Sequence, residues 1–135
     1  MKQIFKRTAT GAGVLALAAA GVTMMPSVAN AASYNGACGS SYGVIDAQSL
    51  PGLGTVYLTY SSSTGKNCVV TVRDNPGAKL PMAAKVSLAG APWTADSGNY
   101  GTYAGPVYVS AAHSCVDWGG EINGVYAYEY NSHCG

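Results

Sequence analysis

Residues 116–130 read VDWGGEINGVYAYEY, and this stretch indicates the fold most directly. Asn123-Gly124 at its centre is the preferred pair for a two-residue type I′ turn, which joins the two antiparallel strands of a β-hairpin. A two-residue turn fixes the register on both sides of it, so Glu121 is expected opposite Tyr126. The segment therefore predicts a regular C-terminal hairpin.

One face of this hairpin is predicted to carry polar and aromatic side chains. Successive side chains on a strand point to opposite faces. Trp118 and Ile122 fall on the face that suits a core. The other face, expected to meet water or a ligand, carries the candidate ligand-facing residues Asp117, Glu121, Tyr126, Tyr128 and Tyr130. The alternative is that these tyrosines line the rim of a small core, since their rings favour burial and their hydroxyls need partners. A bulge at Gly119-Gly120 would shift the register beyond it.

The rest of the chain predicts an all-β domain. Short segments rich in β-branched and aromatic residues alternate with turns that contain glycine, proline and asparagine. No helical periodicity extends over 11 residues after residue 32, and residues 89–101 are expected to form a loop. This pattern predicts a small antiparallel sandwich or barrel of six to seven strands.

The N-terminus has the features of an export signal. Basic residues precede an uncharged apolar stretch at 11–25, and residues 29–31 read ANA. The apolar stretch is shorter than the roughly 20 residues of a membrane span, which disfavours an uncleaved anchor. The ANA triplet fits the rule for signal-peptide cleavage. We expect a signal peptide at 1–31 and one domain at 32–135, so the mature protein is predicted to be secreted and to lack a membrane span.

The four cysteines predict two disulfides, because an even number of cysteines in an exported domain is usually oxidised. They are Cys38, Cys68, Cys115 and Cys134. The hairpin register puts Ser132 opposite Cys115, and Cys134 follows two residues later on the same side. Diagonal neighbours of this kind are close enough to bridge after a small movement. The expected bridges are therefore Cys115–Cys134 and, by elimination, Cys38–Cys68.

Charge and composition disfavour nucleic-acid and metal partners. Three of the seven basic residues precede residue 32, so four remain against six acidic residues, a net charge of −2. Such a domain has no basic patch for a row of phosphates. His113, Cys115, His133 and Cys134 resemble a zinc ligand set. Because exported cysteines form disulfides, no metal and no cofactor are expected.

No pattern in the sequence predicts catalysis. Asp117 and Glu121 are four residues apart, about 13 Å along a strand. Glycoside hydrolysis needs two carboxyl groups about 5 to 10 Å apart. The Gly-x-Ser-x-Gly motif of many serine hydrolases is absent. We expect that the protein is not an enzyme.

Several segments together resemble one known family. They are YNGACG at 34–39, GKNCVVTVR at 65–73, TYAGPVY at 102–108, CVDWGG at 115–120 and NSHCG at 131–135. These blocks are similar to the spore-associated protein A family of sporulating filamentous actinobacteria. The likeness covers nearly the whole of residues 32–135, including all four cysteines. It implies a small exported protein found with spores or aerial hyphae, and it implies no reaction.

These observations favour an exported, non-catalytic structural or surface-associated protein of the spore or cell envelope, located on the spore or cell surface. Two alternatives remain open. One is a binding module for wall polysaccharide that uses the tyrosine-rich hairpin face. The other is a small secreted inhibitor. The expected partners are envelope components, with wall polysaccharide among them.

Overall fold

The computed structural model describes residues 33–135, so the signal peptide predicted at 1–31 lies outside the described residues. The described chain contains eight β-strands and no helix. The strands are β1 (Gly43–Leu50), β2 (Gly54–Ser61), β3 (Lys66–Arg73), β4 (Leu80–Leu88), β5 (Thr94–Tyr100), β6 (Tyr103–Ser110), β7 (Val116–Ile122) and β8 (Val125–Ser132).

The strands form two four-stranded sheets. The first sheet has the order β1-β2-β3-β6 and the second has the order β5-β4-β7-β8. All pairings are antiparallel. The predicted all-β, antiparallel fold is confirmed, and two packed sheets fit the sandwich rather than the barrel. The strand count is eight, not six to seven.

The core lies between the two sheets and is built from both. Leu58 and Val69 of the first sheet join Trp118 and Ile122 of the second in one buried cluster. Each buried side chain of this size contributes roughly 1.5–3 kcal/mol through removal of apolar surface from water. Trp118 and Ile122 therefore lie on the core face, as the hairpin alternation predicted.

The additional strand is β5, which falls in the segment expected to be a loop. It pairs with β4 from Leu80 opposite Tyr100 to Val86 opposite Thr94. Its residues are mostly exposed and polar because it is an outer strand of its sheet. Arg73 of the first sheet donates hydrogen bonds to the carbonyls of Tyr100 and of residue 101, at 3.3 and 3.1 Å. Tertiary pairing, rather than local preference, thus makes this segment a strand.

The C-terminal hairpin has the predicted turn. Asn123 and Gly124 have φ angles of 51° and 84°. Both angles lie in the left-handed region that a type I′ turn requires. Glu121 lies opposite Tyr126, as expected.

The hairpin register changes farther from the turn. The predicted pairing holds as far as Trp118 opposite Glu129, but Val116 then lies opposite Ser132. Between these two pairs β7 has one residue, Asp117, whereas β8 has two, so the bulge lies opposite Asp117 and not at the neighbouring glycine pair. The extra residue in β8 moves Cys134 one position nearer to the start of β7.

Both predicted disulfides are present. Cys38 is bonded to Cys68, and Cys115 is bonded to Cys134. The expected pairing of Ser132 with Cys115 is off by one position, and the bulge in β8 accounts for the difference.

Residues 33–135 contain no helix that is long and apolar enough to cross a membrane.

Candidate functional site

Four aromatic rings form a row on the outer face of the second sheet, and we call this row the aromatic strip. It consists of Trp93, Tyr126, Tyr128 and Tyr130. The centroids of Tyr126 and Tyr128 are 5.6 Å apart, and those of Tyr128 and Tyr130 are 6.4 Å apart. Tyr126 and Tyr130 are 67% and 61% exposed, so most of their surface is open to a partner. The three predicted tyrosines therefore lie on one outer face, as the period of the strand requires.

Trp93 joins the strip from the loop between β4 and β5. Its ring lies 5.6 Å from the ring of Tyr128 and 6.1 Å from that of Tyr130. Trp93 was not among the residues predicted from the sequence, because it lies in a segment without strand or motif signals. Its aromatic type was the only signal available, and its position in the strip follows from the path of the loop.

Tyr128 is the most tightly held ring of the strip. Its hydroxyl donates to the carboxylate of Glu121. The ammonium group of Lys85 lies 5.4 Å from the ring centroid of Tyr128 and 3.2 Å from the Glu121 carboxylate. A cation over an aromatic face is attracted by the negative face of the ring. Lys85, which was not among the residues predicted from the sequence, thus holds the centre of the strip from β4, across the intervening strand β7.

The three groups shift one another's pKa values. The hydrogen bond from Tyr128 is the main reason that the pKa of Glu121 is lowered. Burial and the same hydrogen bond raise the pKa of Tyr128. Burial acts to lower the pKa of Lys85, but its hydrogen bonds with Tyr128 and Glu121 outweigh burial and raise it. At neutral pH the neutral phenol of Tyr128 is therefore flanked by the charged carboxylate of Glu121 and the charged ammonium group of Lys85.

Gly119 makes room for this arrangement. It pairs with Lys85 on one side and with Tyr128 on the other, so it lies between them in the sheet. A Cβ at this position would overlap the Tyr128 ring and the backbone carbonyl of Ala127. Only glycine allows the tyrosine ring to lie across the central strand at this point.

Asp117 requires a correction, because it is not part of the exposed surface. It is only 7% exposed. One carboxylate oxygen accepts a hydrogen bond from the backbone N–H of Gly90 at 2.9 Å, and the other accepts one from Asn131 at 2.8 Å. The bulge in β8 brings the backbone N–H of Asn131 to the carboxylate of Asp117. The β4–β5 loop covers this carboxylate. Asp117 therefore positions the loop that carries Trp93.

The two carboxylates of the hairpin are both engaged by other groups of the protein. Both oxygens of Asp117 are occupied by backbone donors, and Glu121 is paired with Lys85 and Tyr128. The surface offers instead a row of ring faces flanked by one ion pair. Such a surface can stack on apolar faces of a ligand and can form hydrogen bonds at one edge.

The histidines and cysteines that resemble a zinc ligand set in the sequence do not form one through their thiols. Cys115 and Cys134 are bonded to each other and have no free thiolate. A thiolate is required for a cysteine to bind zinc.

Fold and surface together define a small disulfide-bonded protein of two packed antiparallel sheets that displays an aromatic strip. No family model and no solved structure matches the chain. It is 48% identical over 129 residues to spore-associated protein A of Streptomyces coelicolor, a match that covers 94% of this chain and 82% of the relative. The chain belongs to the spore-associated protein A family.

Proposed function

We propose that this protein is an exported, non-catalytic component of the spore or cell surface that attaches there through its aromatic strip. The name of its Streptomyces coelicolor relative supports the location. The two disulfides support an oxidising, extracellular environment.

The ligand class that suits the strip best is wall polysaccharide. The observation that supports this choice is the row of Trp93, Tyr126, Tyr128 and Tyr130, in which neighbouring rings are 5.6–6.4 Å apart. A sugar ring has apolar C–H faces that pack on aromatic faces, and its hydroxyls can bond to tyrosine hydroxyls and to an ion pair. A long polymer could contact several rings at once, and each contact would add to the affinity.

The decisive experiment compares retention of two variants. The triple variant W93A/Y126S/Y130S removes the exposed rings and keeps Tyr128, whose contacts with Glu121 and Lys85 support the fold. The matched control is Y103S, because Tyr103 is also exposed, at 39%, but lies on the other sheet. Each protein is produced by export, and its retention on spores and hyphae and its binding to purified wall glycan are measured.

The three function classes predict different results. A polysaccharide-binding module loses at least tenfold in glycan affinity in the triple variant and keeps it in Y103S. A purely structural coat component resists extraction from spores but shows no saturable binding to glycan. A small secreted inhibitor acts at stoichiometric amounts on a panel of proteases. Normal glycan retention by a folded triple variant would contradict attachment through the strip.

A further inference from the structure

Three potential metal ligands converge on the side of β8 opposite to the aromatic strip. They are Asp46 of β1, Glu129 of β8 and His133, which follows β8. One ligand atom from each lies within 4.8 Å of the others. The Nε2 atom of His133 is 2.8 Å from a carboxylate oxygen of Asp46. Because β1 and β8 are the outer strands of different sheets, the cluster joins the free edges of the two sheets.

We propose that this cluster binds a divalent transition metal of the zinc type. One imidazole nitrogen and two carboxylate oxygens are ligands that zinc accepts, and three protein ligands leave a fourth position for water. The imidazole disfavours magnesium and calcium, which take oxygen ligands. The site uses neither Cys115 nor Cys134, so the disulfide between them is compatible with metal binding.

Hydrogen bonds from outside the cluster hold its two carboxylates in place. Glu129 accepts a hydrogen bond on one carboxylate oxygen from the indole N–H of the buried Trp118, at 3.0 Å. Asp46 accepts one on the oxygen not used by His133, from the backbone N–H of Ala47 at 2.8 Å. Hydrogen bonds of this kind orient metal ligands and are a regular part of metal sites.

Charge also favours a cation here. Two carboxylates lie close together, and the only cation in the cluster is His133 when it is protonated. A bound dication would compensate both carboxylates while the imidazole of His133 binds it in its neutral form.

The site is open to incoming ions and small ligands. His133 lines a cavity of about 380 Å³ together with Tyr60, Asn67 and His113. Glu129 and His133 are themselves exposed, so solvent ions can reach the cluster. We infer that the metal clamps β1 to the C-terminal segment, where the Cys115–Cys134 bridge already holds the neighbouring residue.

This proposal is independent of the aromatic strip, because Glu129 points to the opposite side of β8 from Tyr128 and Tyr130. Zinc binding can therefore be absent while glycan binding is retained, and glycan binding can be absent while zinc binding is retained.

The experiment titrates the secreted protein with ZnCl₂ after treatment with a chelator and dialysis. Binding is measured by calorimetry, and thermal unfolding is measured in parallel. At a free Zn²⁺ concentration about a hundredfold above Kd, the Tm should rise by on the order of 10 °C. Mg²⁺ at the same concentration should leave the Tm unchanged. The variants D46N, E129Q and H133Q should each bind Zn²⁺ at least tenfold more weakly.

The matched control is H113Q, because the chain contains only two histidines and both line the same cavity. H113Q should bind Zn²⁺ as the unchanged protein does. In nuclear magnetic resonance spectra, Zn²⁺ should shift the ring signals of His133 and leave those of His113 in place. Absence of binding by the unchanged protein, or an equal loss in H113Q, would overturn the proposal.

Discussion

The indole ring of Trp93 lies 5.6 Å from the ring of Tyr128, and this contact joins the β4–β5 loop to the last strand. Trp93 directly precedes β5, one outer strand of the sheet, and Tyr128 lies in β8, the other outer strand. The surface that they share therefore exists only when the loop is held over β7. Asp117 and Gly119 are the residues that make this possible, and each gives a test.

Loss of the Asp117 carboxylate should destabilise the protein and release the loop. D117A removes two hydrogen bonds to a charged group and leaves the backbone N–H groups of Gly90 and Asn131 without partners. The expected loss in the free energy of unfolding is about 3 kcal/mol, measured in urea. Amide exchange should accelerate at Gly90 and Asn131 in the folded protein. The amide of Gly65, which is bonded to Ser61 in a distant turn, should keep its protection. Unchanged exchange at Gly90 would mean that another contact holds the loop.

A methyl group at Gly119 should displace the centre of the strip. In G119A the added Cβ overlaps the Tyr128 ring, so the ring or the strand must move. The expected cost is about 1–3 kcal/mol in the free energy of unfolding. The control is G43A, because a Cβ at Gly43 meets no atom within 4 Å. It should change stability by less than about 0.5 kcal/mol. Equal effects of the two changes would show that Tyr128 does not lie across β7.

The lowered pKa of Glu121 predicts a dependence of stability on acid. Its pKa in the folded protein lies below the ordinary 4.5, chiefly because Tyr128 donates to its carboxylate. The stabilisation is therefore fully present above pH 4.5 and is lost as the pH falls through the lower folded value. Unfolding in urea should show a steeper loss of stability on acidification for the unchanged protein than for E121Q. Parallel pH profiles would indicate that the contact with Tyr128 does not persist in solution.

The export signal predicts the start of the mature chain. Cleavage after residue 31, or one residue later, gives a secreted protein that begins at Ala32 or Ser33. N-terminal sequencing of the protein from culture medium measures this directly. A start before residue 28 would contradict the assigned cleavage site.

Local sequence was informative wherever a short stretch fixes its own geometry. Asn123-Gly124 forms the predicted turn because both residues tolerate positive φ angles. The turn then set the alternation that places Trp118 in the core and Tyr126 outside. It also brought Cys115 near enough to Cys134 for the bridge to be inferred.

Sequence was uninformative where an element depends on a partner. Strand β5 consists mostly of exposed polar residues, and it is ordered through its pairing with β4 and its contact with Arg73. Asp117 was assigned to the exposed surface because alternation gives the face of a strand but not what covers that face. The covering loop and the bulge are both tertiary features.

The sequence by itself thus determined the fold class, the hairpin, the cysteine pairs and the face that carries the three tyrosines. These follow from alternation and turn geometry, which act over a few residues. Only the tertiary structure decided that Trp93 completes the strip, that Asp117 is buried beneath its loop, and that Asp46 meets Glu129 and His133. Each of these contacts joins residues far apart in the chain, so it depends on how strands and loops pack rather than on any local pattern.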